Sequence, residues 1–184
     1  MHHIGCNESC FNRGVYDNEP KNVTLVFNRE QLLYDIKNCA YIEGHVWDGE
    51  NQHARHTLVE IGEEGNIDRV NSVLEVAHAE VVEILYPYTK QAPVNDEVIT
   101  DRMVIPKEYR INMAIPPTMS RTTLKLLNGA IHEFMVARVL YDWLSITHDE
   151  AAPNWLEKAQ SAKDKIKSIK QGRSGVLRRP SHPL

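Results

Sequence analysis

Cysteine, phenylalanine and tryptophan each occur only three times in 184 residues, and no apolar run approaches the roughly 18 residues a bilayer crossing needs. A membrane-spanning helix is therefore excluded as the organising element. The start, MHHIGCNESC, lacks the basic-then-apolar layout of a secretion signal, so a cytosolic protein is expected, or one incorporated into something assembled there. Cys6, Cys10 and Cys39 are an odd set, which argues against a disulfide framework and for reduced thiols. Missing too are a Gly-rich phosphate loop, a Gly-x-Ser-x-Gly elbow and any Cys-His pair that spacing would join. His132-Glu133 has no second histidine at the zinc-protease step, and no internal repeat supports a solenoid.

What is present suits a packed core. Hydrophobic residues make up 42% and charged residues 25% of a chain long enough for one domain with extensions. The net charge of -4 is unevenly spread. From Glu157 onward eight Lys or Arg stand against Glu157 and Asp164, giving +6 there and -10 over the rest. Such a split suits an acidic partner at one end and discourages unspecific contact with nucleic acid at the other.

Residues 1–21 are polar with scattered apolar groups and read as an N-terminal arm. Val23–Phe27 is a short β-type run. Asn28 can cap a first helix, with Gln31 reaching back, and Leu32, Leu33, Ile36, Cys39, Ala40 and Ile42 share a face until the pattern fades at Gly44. Asp48–Gly65 reads as a loop holding a short strand or turn. Asn66 offers a cap to a second helix, whose stripe is Ile67, Val70, Val73, Leu74, Ala77, Val81, Ile84 and Leu85, stopping at Pro87. After an irregular connection from Tyr88 to Pro106, Tyr109, Ile111, Met113 and Ile115 alternate with polar or small residues, predicting a strand paired with Met103–Ile105 or with Val23–Phe27. A third helix runs from Thr118 or Ser120 to Ile146 through Leu124, Leu127, Ile131, Phe134, Met135, Leu140, Tyr141 and Leu144. A fourth opens at Pro153, carries Trp155, Leu156, Ala159, Ala162, Ile166 and Ile169, and stops at Gly172. The expected fold is mainly α: a four-helix bundle-like body over residues 22–172, with a β-hairpin insertion around 88–117 or a short sheet, and extended arms at both ends.

Several groups of residues could carry chemistry. His2, His3, Cys6 and Cys10 are zinc-ligand types, but their spacing fits no closed four-ligand pattern. His53 and His56 with Glu60 would need a helix to converge; solvated histidines in a loop are the plainer reading. Glu80 and Glu83, near Glu75, lie one turn apart as in magnesium-dependent helical nucleotide hydrolases, with Glu133 and Asp142 the only acids on the middle of the third helix to oppose them. A polar helix face turned to water explains the same residues. Residues 158–179 could instead neutralise nucleic-acid phosphates, although Trp155 is the only aromatic beside them and Lys163, Lys165, Lys167 and Lys170 equally suit a solvated helix end. Beyond Gly172, Val176, Leu177 and Leu184 are apolar groups interspersed with Arg173, Arg178 and Arg179, a composition that calls for something to cover it.

The order of parts resembles the head-tail connector proteins of tailed bacteriophages, the adaptor or head-completion subunits that sit on the portal ring. The likeness lies in DRVNSVLEVAHAEVVEILYPY, and in IHEFMVARVLYDWLSI followed by PNWLEKAQSAKDKIKSIKQGRSGVL, together about half the chain. It implies a structural virion protein that forms a ring, commonly twelve-fold, joining the portal to tail proteins around a DNA channel that it does not read. It implies no enzyme activity and no cofactor. It makes residues 173–184 a docking segment for a neighbour in the neck, with Arg173, Val176, Leu177, Arg178, Arg179 and Leu184 as contacts. The arm, the Asp48–Gly65 loop and the Tyr88–Ile115 stretch depart from the smallest members.

Overall fold

The computed structural model describes residues 19–46, 56–57, 59–90 and 105–171. The expectations for residues 1–18, for most of the loop after Asp48, for Met103 and for the segment from Gly172 to Leu184 concern residues outside these. The elements run β1 (Lys21–Asn28), α1 (Arg29–Val46), a 3₁₀ turn (Glu60–Gly62), α2 (Glu64–Ile84), β2 (Glu108–Ile115), α3 (Arg121–Thr147) and α4 (Ala152–Gln171). The protein is mainly helical with one small antiparallel sheet, as the patterning predicts.

Helix α3 sits at the centre because it is apolar on nearly every side. Leu127, Ala130, Ile131, Phe134, Met135, Val136, Ala137, Val139, Leu140, Trp143 and Leu144 are all buried. No single partner covers that circumference, and α1, α2 and α4 each pack against it. Ser120 starts α3, its hydroxyl accepting from the Thr123 amide at 3.1 Å. The four residues His148–Ala151 then turn the chain back, so α4 lies antiparallel to α3. On α4 the inward residues Trp155, Ala159, Ala162, Ile166 and Ile169 alternate steps of four and three, the seam of closely packed helix pairs. The two alanines let the axes approach.

Helix α1 begins as expected at Asn28, whose side chain accepts from the Glu30 amide at 2.8 Å. Gln31 does not reach back; its amide donates to Asp35 at 3.1 Å, one turn ahead. Leu32, Ile36 and Ala40 are buried, Leu33 and Cys39 pack beside them, and Ile42 is exposed. In α2 the stripe Val70, Leu74, Ala77, Val81 and Leu85 is buried, but the helix starts earlier than its apolar pattern. Its cap is Glu63, not Asn66, and it opens at Glu64, because Gly65 is tolerated in a first turn and the Asn66 side-chain amide instead donates to the Glu60 carbonyl at 2.9 Å, tying the helix to the 3₁₀ turn.

The sheet joins segments far apart in the chain. Of the two partners the alternation allows, β2 takes Val23–Phe27, with Leu25 opposite Ile111 and Phe27 opposite Tyr109 on the buried face. The described sheet is therefore a long-range pair rather than a hairpin within 88–117. The outer side of β2 is tied to α2: the Ala114 amide donates to the Tyr88 carbonyl at 2.9 Å, and His78 Nε2–H donates to the Arg110 carbonyl at 3.1 Å. Nearby, Arg29 donates to Asn71 Oδ1 at 2.8 Å beneath the sheet, while the Tyr109 hydroxyl and Asn71 Nδ2 are buried without partners among the described residues.

Burial pushes the His78 imidazole below its ordinary range, with the Arg110 carbonyl and Glu75 opposing the shift. A histidine held neutral stabilises the fold fully above the unfolded pKa of about 6.5 and loses that contribution as pH falls through it toward the lower folded value. Denaturant unfolding from pH 7.5 to 5.5 is therefore expected to show stability declining with acid, and His78→Gln to flatten the slope in that window. An unchanged slope would mean His78 does not govern it.

Candidate functional site

The six tail residues singled out from the sequence, Arg173, Val176, Leu177, Arg178, Arg179 and Leu184, lie outside the described residues, as do His2, His3, Cys6, Cys10 and His53. His56 pairs with Glu60 one helical turn on, at 2.6 Å, on an exposed surface. Among the described residues no three His, Cys, Asp or Glu side chains come together as a metal site would require.

The acids of the nucleotide-hydrolase reading are distributed among basic partners. Glu80 is paired with Lys163 of α4, Glu133 with Lys165 at 3.0 Å, and Asp142 with Arg69 at 2.8 Å. Glu83 borders a separate small cavity with His78, Thr89 and Arg110. Each of the first three carboxylates thus fastens one helix to another, and the four are not gathered around one point.

The lysines of α4 are likewise engaged within the molecule. Lys158 lies 3.7 Å over the Trp155 ring, Lys163 and Lys165 form the ion pairs above, and Lys167 stands 3.6 Å from Asp164. Lys170 donates to the Ile84 carbonyl at 2.7 Å, placing its charge at the negative end of α2. The Tyr88 hydroxyl, just past α2, donates in turn to the Lys170 carbonyl at 3.4 Å. The ends of α2 and α4 therefore cap one another. A basic stripe in sequence becomes, in space, a set of clasps pointing to different neighbours.

On the opposite flank, α1 meets α3 and α4. His132 bonds Asp35 at 2.8 Å, and the Trp155 indole N–H donates to Glu43 at 2.9 Å. Cys39 and His132 line the same cavity of about 430 Å³ although they are far apart in sequence, which is why spacing could not join them. The thiol is poorly suited to attack. Burial pushes its pKa up, with Asp35 and Glu43 adding to the effect and only Lys158 opposing it, whereas a nucleophilic cysteine needs the thiolate.

Among the described residues, a groove of about 1010 Å³ runs between α3 and α4. Leu126, Ala130 and Ile169 supply apolar surface, and Glu133, Glu157 and Asp164 border it. Leu126 is 62% exposed, so this leucine is turned out from the core. The sequence pattern did not single it out, because its neighbours Leu124 and Leu127 satisfy the helical stripe. Gly129 lines the groove, and a Cβ built there would meet no heavy atom within 4 Å.

No protein-family model matches the chain, and neither a curated protein nor a solved structure does. No described helix is long and apolar enough to cross a membrane.

The clasp between α2 and α4 is measurable. Glu80 and Lys163 keep about a quarter to a third of their side-chain surface exposed, so solvent screening should limit their coupling to roughly 0.5–1 kcal/mol. A double-mutant cycle with Glu80→Gln and Lys163→Met in urea unfolding should return that value and shrink it in 1 M salt. Zero coupling would remove this pair from the account.

Proposed function

We propose that the chain is a structural subunit of a connector ring, the neck assembly that joins a viral portal to tail proteins and keeps a DNA channel continuous. The observation that carries this reading is the exposed face of α1. Tyr34 and Tyr41 lie two turns apart with Ile42 beside them, each half or more exposed, on a helix whose other side is anchored in the core. Amphipathic aromatic side chains of this kind are enriched where proteins meet. Val76, 58% exposed, sits on the outer face of α2, which packs on α3 as a separate neighbour. Two unlike surfaces on one subunit are what a closed ring of heterologous contacts requires.

The charge distribution supports the same reading. The lysines of α4 are engaged within the described body, and the arginines at 173, 178 and 179 provide planar, bidentate groups for carboxylates of a portal or tail protein. The ring, its commonly twelve-fold symmetry and its place in a virion neck follow from the resemblance of layout. The part proposed for each helix is supported by the side chains its outer face leaves exposed.

The test is assembly. Native mass measurement of the purified chain, alone and with portal protein, is expected to show a closed oligomer or its addition to the portal. Tyr34→Ser with Tyr41→Ser should abolish it while the circular dichroism stays native, since neither side chain is buried. A chain that remains monomeric under both conditions, or a double variant that assembles normally, would contradict the proposal.

A further inference from the structure

Helices α1 and α2 each turn a second stripe away from the core. On α1 it is Tyr34, Asn38, Tyr41 and His45; on α2 it is Ser72, Val76, Ala79 and Glu83, and every one of these residues is exposed. Both stripes advance by four, three and four residues, the spacing of a seam between packed helices. Each covers about 17 Å of helix. We propose that the α1 stripe of one copy packs along the α2 stripe of the next, so that a second copy of this chain is the partner of both faces. The pairing rests on the ring reading, whose two unlike surfaces it joins to one another.

The stripes differ in size as partners must. α1 presents two tyrosine rings, 65% and 50% exposed, whereas Ser72, Val76 and Ala79 are small and leave room between them. Laid parallel and in register, Tyr34 meets Ser72, Tyr41 meets Ala79 and His45 meets Glu83, and the large side chains of one helix enter the gaps of the other. Tyr41 and His45 already hydrogen-bond each other at 3.1 Å with ring centroids 4.3 Å apart. With the hydroxyl donating to Nε2, Nδ1–H is left as the donor for Glu83.

Charge selects the same partner. Asp68, Glu75 and Glu83 are exposed on α2 and form no ion pair with another described residue, while Arg69 is held by Asp142. Two α2 faces brought together would set these carboxylates against one another. The α1 stripe holds no carboxylate: Asp35 and Glu43 are bound by His132 and Trp155, and Glu30 stands one turn before it. Each of its four side chains carries a hydrogen-bond donor. Exposed Lys37 flanks it and likewise forms no ion pair with a described residue. A donor-rich face without acids meets an acidic face without free cations, and such a contact is heterologous, as a ring needs.

Native mass spectrometry of mixed variants of the full-length chain tests this. Tyr34→Ser with Tyr41→Ser disables the α1 face and keeps that of α2; Val76→Glu with Ala79→Glu does the reverse, and Ser72→Glu on the same stripe should act like that pair. All five residues are exposed, so circular dichroism should stay native. Each variant alone should remain monomeric, and an α1 variant mixed with an α2 variant should form a 1:1 complex and nothing larger, because each retains one working face. Absence of the 1:1 complex, or α2 variants that assemble as the native chain does, would overturn the inference. Homodimers of either kind of variant would overturn it too, by showing like faces in contact. Failure of the ring reading looks different: a 1:1 complex of the variants, beside a native chain that forms open filaments and does not join portal protein, removes the ring and keeps the contact.

Discussion

Everything in this fold depends on covering helix α3. A helix apolar around most of its circumference cannot rest at a surface, and one partner helix covers only a stripe. The chain meets that demand with α4 as a close antiparallel partner, and with α1 and α2 as further neighbours on the same core. The sheet adds to the same core by bringing Leu25 and Phe27, at the start of the described chain, against Tyr109 and Ile111, more than eighty residues later. Such a closure constrains the ends of α1 and α2 as well, since β1 runs directly into α1 and β2 is hydrogen-bonded to the turn after α2.

Polar chemistry is arranged around that core as fastening. Arg69 with Asp142, Lys163 with Glu80, Lys165 with Glu133, and His132 with Asp35 each link two helices of the same core. Individually such half-exposed pairs contribute little, but each fixes the rotation of one helix against another. The cost falls on other uses of the same residues. Lysines that clasp α2 and α3 are less free to meet phosphates, and carboxylates bound by lysine are less free to hold a cation. The tyrosine face of α1 is a surface that none of these clasps uses.

Much of the architecture was legible in the sequence, for physical reasons that differ from place to place. The stripe of α2, the Ser120 start of α3 and the inward seam of α4 were readable because apolar spacing and capping are local. The patterning puts the start of α2 three residues late, since Gly65 reads as a breaker and only the bond from the Asn66 side chain to the Glu60 carbonyl shows otherwise. Alternation alone leaves the pairing of β2 open between two segments, and loop length does not decide it. The candidate surfaces were the least legible part. Leu126 is indistinguishable from a core leucine in the sequence, and Cys39 meets His132 only through the packing of α1 on α3. The mutual capping of α2 and α4 joins Lys170 to Ile84 and Tyr88, a contact with no counterpart in any linear motif.

The central claim is that α3 is the element on which the other helices depend, and amide hydrogen exchange tests it most directly. Amides of α3 from Leu127 to Leu144 should exchange only through global unfolding, with protection equal to the full unfolding free energy, while the exposed ends of α1 and α2 open at lower cost. If α3 amides exchanged through a local opening cheaper than that of α1 or α2, the hub would lie elsewhere and the account would be contradicted.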